Sequence, residues 1–264
     1  MSVQSKRCDA PLPPLVQSVQ RALRILEVIA ENPDGTTAKA VARRLDLALS
    51  TTYHLLNTLV AEGYVVRLDG ARGFGLGYKI PSLDRVLRRK LGVTPPVAAA
   101  VDDLHRRAGA AAYYAVFRDR EVVVAYVADS PVTPRVDPLD VGFNEAAHAL
   151  AFGKVMLASL GPNDRREYLR EHGLSLFTGH TIGEPARLER EIGEVARAGV
   201  GVDVEEFQPG LACLAAPVVG PGGEVVGAVS VSATARTMAE HRERIEAAVR
   251  EGATRVSWAV SLAG

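Results

Sequence analysis

Three side chains of the sequence could together form a reactive centre. Cys213, His148 and Asp203 are the residue types that thiol enzymes use as nucleophile, base and orienting acid, and the same types bind zinc. Their spacing contains no close pair, such as Cys-x-x-Cys or His-x-x-x-His, that would pre-form a metal site. The neighbours Leu211 and Leu214 are typical of a small buried cysteine. An enzyme or metal-binding sensor that uses this trio is kept as an alternative, and we expect no catalysis, no metal and no cofactor.

A second group of polar side chains lies between Ser50 and Thr58. The helical period turns the leucines of this segment inward and leaves its polar side chains outside. Asparagine can pair with adenine, and serine or threonine can bond base edges or phosphate, so we expect a surface that reads DNA. It comprises Ser50, Thr51, Thr52, Tyr53, His54 and Asn57. The same pattern also fits the third helix of a small bundle with a solvated face.

Two helices precede this segment. Apolar residues at three- and four-residue steps, among them Val19 and Leu23, predict an amphipathic helix that begins near Ser18. A second helix follows the turn Asn32-Pro33-Asp34-Gly35, and the hydroxyl of Thr36 or Thr37 can cap it. We also expect Thr37 among the DNA contacts.

A β-hairpin completes the pattern. Ser50 is a suitable cap for the third helix, and two short strands follow around the turn Asp69-Gly70-Ala71-Arg72-Gly73. Arg67 and Arg72 would then meet backbone phosphate. Three short helices and a hairpin in this order predict a winged helix-turn-helix domain, whose second paired helix enters the major groove.

The charge distribution points to the same end of the chain. The 264 residues are neutral overall, but residues 1–92 contain 14 Lys and Arg against 8 Asp and Glu. A basic head on an acidic body favours contact of the head with a polyanion, although chance variation on solvated surfaces explains the asymmetry equally well. No apolar run is long enough to cross a membrane, and two cysteines make no disulfide framework. We therefore expect a cytoplasmic protein.

Turn and proline signals predict the domain organisation. We expect a flexible arm over 1–14, the winged helix-turn-helix domain over 15–78 and a linker helix over 79–94. Over 95–264, helical patterns mix with antiparallel hairpins, which predicts an α+β domain with one central antiparallel sheet.

Two serines of this second domain fall on one face of a strand. Ser230 and Ser232 are two residues apart, and side chains alternate along a strand. Because buried hydroxyls need hydrogen-bond partners, either a polar ligand or other protein groups must supply them.

A series of short motifs follows the order of one known family. They are Ser18-Val19-Gln20-Arg21-Ala22-Leu23, Ser50-Thr51-Thr52-Tyr53-His54-Leu55-Leu56, Glu62-Gly63-Tyr64-Val65, Phe74-Gly75-Leu76-Gly77, His148 with Gly153-Lys154, Asp203 with Glu206, Gly210, Cys213 and Ala215-Ala216-Pro217, and Ala228-Val229-Ser230-Val231-Ser232. In these motifs the chain resembles the IclR-type transcriptional regulators, over nearly its whole length.

This resemblance implies a function and a second site. It implies a dimer, or a dimer of dimers, that binds palindromic operator DNA, and a GAF-like effector domain that accepts a small organic molecule, often a carboxylate or an aromatic acid. The matching positions of the effector pocket are Ala151, Phe152, Asp203, Cys213, Ser230 and Ser232. Four residues depart from the family pattern. His54 and Gly75 stand where arginine is common, and Ala146 stands where proline is common. The bulky Phe152 stands at a position that is often small and would narrow the pocket or favour a flat ligand.

Overall fold

The computed structural model describes most of the chain as two compact units. The described residues are 15–69, 73–118 and 120–262. The units are Met1–Val86 and Leu87–Gly264. The arm predicted for residues 1–14 lies outside the described residues.

Three helices and a hairpin build the first unit. They are α1 (Gln17–Ala30), α2 (Ala38–Leu45), α3 (Leu49–Ala61), β1 (Val65–Leu68) and β2 (Gly73–Leu76). The two strands are antiparallel, with Val65 opposite Leu76 and Arg67 opposite Phe74. The predicted helix-turn-helix domain is confirmed, although the tip of the hairpin, with Arg72, lies outside the described residues.

A side-chain cap marks the start of α2 but not the start of α3. The Thr37 hydroxyl accepts from the backbone N–H of Ala40 at 3.2 Å, as expected of a cap at the start of α2. The prediction that Ser50 caps α3 is wrong, because α3 begins at Leu49 with Ala48 at the cap position. Alanine has no side-chain acceptor, so this helix start has no side-chain cap.

The core of the first unit uses only part of the apolar pattern of α1. Ile25, Val28 and Ile29 are buried, and Leu56 and Leu59 of α3 pack in the same cluster. By contrast, Val19 and Leu23, on which the helix prediction rested, are each 54% exposed. The predicted amphipathic helix is confirmed, but the apolar side chains of its first two turns are not buried in the core of the first unit.

A five-stranded antiparallel sheet forms the centre of the second unit and confirms the predicted α+β class. Its strand order is β4-β3-β7-β6-β5. The strands are β3 (Ala111–Arg118), β4 (Glu121–Ala128), β5 (Gly201–Val204), β6 (Leu211–Val219) and β7 (Val225–Thr234).

Helices cover both faces of this sheet. On one face α5 and α10 pack against alternate residues such as Tyr114 and Val229. On the other face α6, α7 and α8 pack against the residues between them, such as Tyr113 and Ala228. The helices of the chain from residue 79 on are α4 (Lys79–Lys90), α5 (Pro95–Ala108), α6 (Ala151–Ser159), α7 (Pro162–His172), α8 (Pro185–Ala198), α9 (Ala235–Glu240) and α10 (Arg242–Ser261). The linker helix predicted over 79–94 ends earlier, at Lys90, because Gly92 has a φ of 71° and Thr94, which precedes Pro95, is extended.

Gly201 lets α6 lie directly on the sheet, and Gly153 lets the turn before α6 pack closely on this helix. A Cβ atom on Gly201 of β5 would come within 2.6 Å of the Ala151 carbonyl oxygen, and one on Gly153 would collide with the carbonyl of Ala147. The first turn of α6 is therefore held against β5 by backbone contact. Among the described residues, no helix combines the length and the apolar character needed to span a membrane.

Candidate nucleic-acid interface and effector pocket

The outer face of α3 carries the polar side chains expected there, with one exception. Ser50, Tyr53, His54 and Asn57 are exposed, and Thr51 is half-buried. Their exposure follows from the burial of Leu56 and Leu59 on the opposite side of the helix. The face presents hydroxyl, imidazole and amide groups at the spacing of successive helical turns.

Thr52 is the exception, and its predicted place on the outer face is wrong. Its side chain is 0% exposed, and its hydroxyl donates to the carbonyl of Ala48 at 3.1 Å. Residues 52, 56 and 59 follow each other by four and three positions, so they share the buried face. Threonine tolerates this burial because its hydroxyl can bond the carbonyl four residues earlier. Thr52 cannot touch a base edge from this position.

The hairpin places one basic side chain against the α3 face. Arg67 of β1 donates from Nη2 to Oδ1 of Asn57 at 2.6 Å. Its guanidinium carbon also lies 5.5 Å from the centroid of the Phe74 ring. Thr37 is exposed at the start of α2. Arg72, the second predicted phosphate contact, lies outside the described residues.

The second site is a row of polar side chains on the face of the sheet that α6 covers. Asp203 pairs with Cys213 across β5 and β6, and Cys213 pairs with Ser232 across β6 and β7. In the next row Ser230 pairs with Tyr113 of β3. All of these side chains are buried, as are Ala151 and Phe152 in the first turn of α6. The strand register thus gathers the six predicted pocket residues on one side of the sheet.

The hydroxyls of this site have protein partners. Ser230 donates to the carbonyl of Leu214 at 3.1 Å. The Ser232 and Tyr113 hydroxyls lie 3.2 Å apart, and Tyr113 also accepts from the backbone N–H of Val136 at 3.0 Å. Of the two sources of partners left open by the sequence, protein groups therefore serve both serines.

The carboxyl groups of Asp203 and Glu206 each have one oxygen without a hydrogen-bond partner among the described residues. Oδ1 of Asp203 accepts from the Glu206 N–H at 2.9 Å, but no described residue hydrogen bonds to Oδ2. Lys154 of α6 is 0% exposed and donates to Glu206, to Glu191 at 3.2 Å and to the carbonyl of Val202 at 3.0 Å. Oε2 of Glu206 likewise has no partner among the described residues. One buried ammonium therefore serves two carboxylates, and two carboxyl oxygens remain available.

Burial sets the protonation of these groups. It raises the pKa of Asp203 to about 6, and the Glu206 carboxylate adds to the rise. Burial also raises the pKa of the Cys213 thiol well above its ordinary value, with the Asp203 charge acting in the same direction. Cys213 is therefore a neutral thiol near pH 7, which is the opposite of an activated nucleophile.

The imidazole of His148, the third member of the candidate reactive trio, contacts other residues. Nε2 of His148 lies 3.0 Å from the carbonyl oxygen of Ser175, and its ring packs on Phe177. Burial lowers the pKa of His148, and the Lys154 charge contributes in the same direction. Within the part of the chain that the structure describes, no group of three His, Cys, Asp or Glu side chains could hold a metal ion.

An open groove of about 460 Å³ reaches the edge of the polar row. Of the six predicted pocket residues only Ser232 lines it, beside Val136, Leu211 and Thr237. The other five lie beneath the surface. The groove is therefore adjacent to the buried row, and the Tyr113 hydroxyl stands between Ser232 and the loop residue Val136.

Three residues that matter here were not predicted as site residues. Tyr113 lies in a predicted apolar strand, and Lys154 and Glu206 are residues of the family motifs. None of these patterns predicts a role in the site. A signal for Lys154 exists in the sequence, since it is a single charge in the apolar run Ala151-Phe152-Gly153-Lys154-Val155-Met156-Leu157. Such a charge must find a buried partner, although the sequence does not say which one.

Comparisons with known proteins agree with this arrangement. The IclR helix-turn-helix domain matches residues 18–69, and the bacterial transcriptional regulator IclR C-terminal domain matches residues 89–258. The HTH-type transcriptional regulator BhcR of Paracoccus denitrificans is 30% identical, over 93% of this chain and 88% of its own. The transcriptional repressor IclR of Escherichia coli is 28% identical, over 84% and 82%.

Solved structures share the fold. The crystal structure of IclR from Thermotoga maritima superposes with a TM-score of 0.73 at 25% identity, covering 92% of this chain and 98% of that one. An IclR homolog of Microbacterium hydrocarbonoxydans, solved in complex with 4-hydroxybenzoate, gives a TM-score of 0.64 at 23% identity, covering 94% and 100%.

Proposed function

The chain belongs to the IclR family of bacterial transcriptional regulators, and from this premise we propose that it binds palindromic operator DNA and responds to a small organic effector. The exposed polar face of α3 is the observation that carries the proposal. It is the recognition surface, with Ser50, Tyr53, His54 and Asn57 towards base edges and Thr51 at its margin. Thr37 and Arg72 contact the sugar-phosphate backbone, and Arg67 bonds Asn57 at the edge of the recognition surface.

The protein acts as a dimer, or as a dimer of dimers. The argument rests on apolar side chains that remain 45–62% exposed: Leu15, Val16, Val19 and Leu23 at the start of the chain, and Leu83, Val86 and Leu87 on α4. Each set recurs at helical spacing, so each forms a stripe that a second copy can bury. Two copies would present two α3 helices to the two half-sites of a palindrome.

The buried polar row is the effector site, formed by Ala151, Phe152, Asp203, Cys213, Ser230 and Ser232. The first turn of α6 has no side-chain cap, so its backbone N–H groups can donate to a carboxylate. The unpartnered Oδ2 of Asp203 can accept from a ligand hydroxyl. A small hydroxy acid or hydroxyaromatic acid fits both groups, and the bound 4-hydroxybenzoate of the Microbacterium relative is of this class.

Switching occurs by a shift between two states of the dimer. The effector favours one spacing of the two DNA-binding units by binding that state more tightly than the other. The linker helix α4 transmits this change in spacing. The protein works in the cytoplasm, where it needs no cofactor and catalyses no reaction.

Fluorescence anisotropy with the chain's own upstream DNA tests this proposal. A specific complex should survive excess competitor DNA, and its affinity should fall steeply with salt because phosphate contacts release counterions. A thermal-shift screen of small hydroxy acids and aromatic acids then tests the effector site, since a ligand that binds only the native state raises the melting temperature. A hit should change the affinity for DNA. Equal affinity for upstream and unrelated DNA would overturn the proposal.

A further inference from the structure

Arg67 makes contacts that a simple phosphate anchor does not need. We propose that Arg67 is a positioning residue for Asn57, and that the pair selects guanine over adenine at one position of each half-site. The inference rests on the proposed binding of α3 to DNA. It gives Arg67 a role in base preference, whereas a phosphate contact carries no sequence information.

The chemistry of the contact fixes the orientation of the asparagine amide. A guanidinium group has only donors, so the atom of Asn57 that faces Nη2 at 2.6 Å must be the acceptor Oδ1. The short distance is typical of a charge-assisted hydrogen bond. Nδ2 is then directed away from Arg67, with both of its protons free to donate.

The guanidinium itself is held from the hairpin side. It lies 5.5 Å from the ring centroid of Phe74, the residue opposite Arg67 on β2. Phe74 is buried in the core of the first unit, and its backbone exchanges two hydrogen bonds with Thr36, at 2.8 Å and 3.0 Å. A continuous chain of contacts thus runs from the core through Phe74 and Arg67 to Asn57 on the outer face of α3.

This arrangement changes what Asn57 can read. A free asparagine pairs with adenine by accepting at Oδ1 and donating from Nδ2, so it needs both atoms. Here a charged donor already occupies one of the two lone pairs of Oδ1, and the remaining groups of the pair are mainly donors: Nδ2 of Asn57 and the other N–H groups of Arg67. Two adjacent acceptors, O6 and N7, are offered in the major groove by guanine alone. The pair therefore matches guanine better than adenine.

Selection followed by single-base substitution tests the inference. The full chain selects an operator from a random duplex library, and the dissociation constant is then measured for every single-base variant of that operator. The proteins compared are the wild type, Asn57→Ala, Arg67→Met, Arg67→Lys and Arg43→Met. Arg43 is an exposed basic residue of α2, so its substitution controls for the loss of one positive charge from the same unit.

The expected result is a change in preference at one base pair. The wild type should prefer guanine there, and Asn57→Ala should lose that preference, by roughly ten- to a hundredfold. Arg67→Met should lose it at the same base pair and move towards adenine, because Oδ1 of Asn57 then has no cationic donor and both of its lone pairs can accept. Arg43→Met should weaken binding equally on all variants or leave it unchanged. Arg67→Lys keeps the charge, so it should retain the salt dependence and still lose the preference for guanine.

A different pattern would overturn the inference. If Arg67→Met weakens all operator variants equally and lowers the salt slope by about one, Arg67 is a phosphate contact. Rescue of every property by Arg67→Lys would lead to the same conclusion, since lysine also binds phosphate as a point charge. If the wild type selects no sequence at all, the proposed binding to DNA fails first, and that failure is seen before any variant is made.

Discussion

The two candidate sites use similar side chains in opposite environments. On α3, serine, histidine and asparagine are exposed to solvent, and the asparagine also accepts from Arg67. In the second unit, serine, cysteine and aspartate lie beneath α6, and each must find its partner inside the protein. The exposed site therefore contributes little to the stability of the fold, whereas the contacts of the buried site contribute to that stability. Substitutions at the first should change binding alone, and substitutions at the second should change stability as well.

Loss of Lys154 should have the largest effect. Lys154→Met removes the ammonium that serves Glu206 and leaves a buried carboxylate uncompensated, so the free energy of unfolding should fall by about 3–5 kcal/mol. Urea denaturation measures this loss. Lys79→Met is the matched control, because Lys79 and Glu62 form an exposed pair with 3.9 Å between Nζ and Oε2. The control should cost less than about 1 kcal/mol. Similar losses for both variants would contradict the comparison.

Asp203→Asn should stabilise the unliganded protein by about 3 kcal/mol above pH 6. The folded state holds this proton with a pKa of about 6 against an ordinary value of 3.8, so the wild type loses stability as the pH rises between these values. Asparagine avoids that loss and can still accept from the Glu206 N–H.

Denaturation of both proteins at pH 4 and pH 8 checks this prediction. The advantage of Asp203→Asn should be present at pH 8 and small at pH 4, where the folded wild type already carries the proton. An equal difference at the two pH values would mean that Asp203 does not ionise as its burial requires.

A smaller contrast can be made within α3 itself. Thr52→Val removes the buried hydrogen bond to Ala48 and should lower stability by about 1 kcal/mol without changing the affinity for DNA. Ser50→Ala should do the reverse, leaving the melting temperature unchanged and weakening the complex with DNA. If Thr52→Val weakens binding as much as Ser50→Ala does, the division of α3 into a buried and an exposed face is wrong.

In the first unit, the sequence predicted the position of α3 correctly, but it predicted the burial of several individual side chains wrongly. The helical period located α3 and the inward side of Leu56 and Leu59. It predicts Thr52 on the wrong face, because a threonine need not be exposed: its hydroxyl can bond the helix backbone. It could not show that Val19 and Leu23 stay uncovered within their own unit, since an apolar stripe looks the same whether it faces a core or a second chain.

In the second unit, the site depended on information that spacing alone does not contain. Asp203, Cys213 and Ser232 become neighbours through the register of three strands, and the pairing of distant strands is not readable from one sequence. The family motifs supplied the grouping instead. They did not supply the partners of Lys154, which come from α8, β5 and the turn that holds Glu206.

Titration of a labelled upstream duplex with wild-type protein and with a His54→Ala/Asn57→Ala variant tests the central claim most directly. Both side chains are exposed on α3, so the variant should keep the wild-type melting temperature. We predict that the wild type binds the upstream duplex at concentrations where unrelated DNA is not bound, and that the variant loses this difference. Specific binding that is unchanged in the variant, or no preference in the wild type, would contradict the claim that the exposed face of α3 reads DNA.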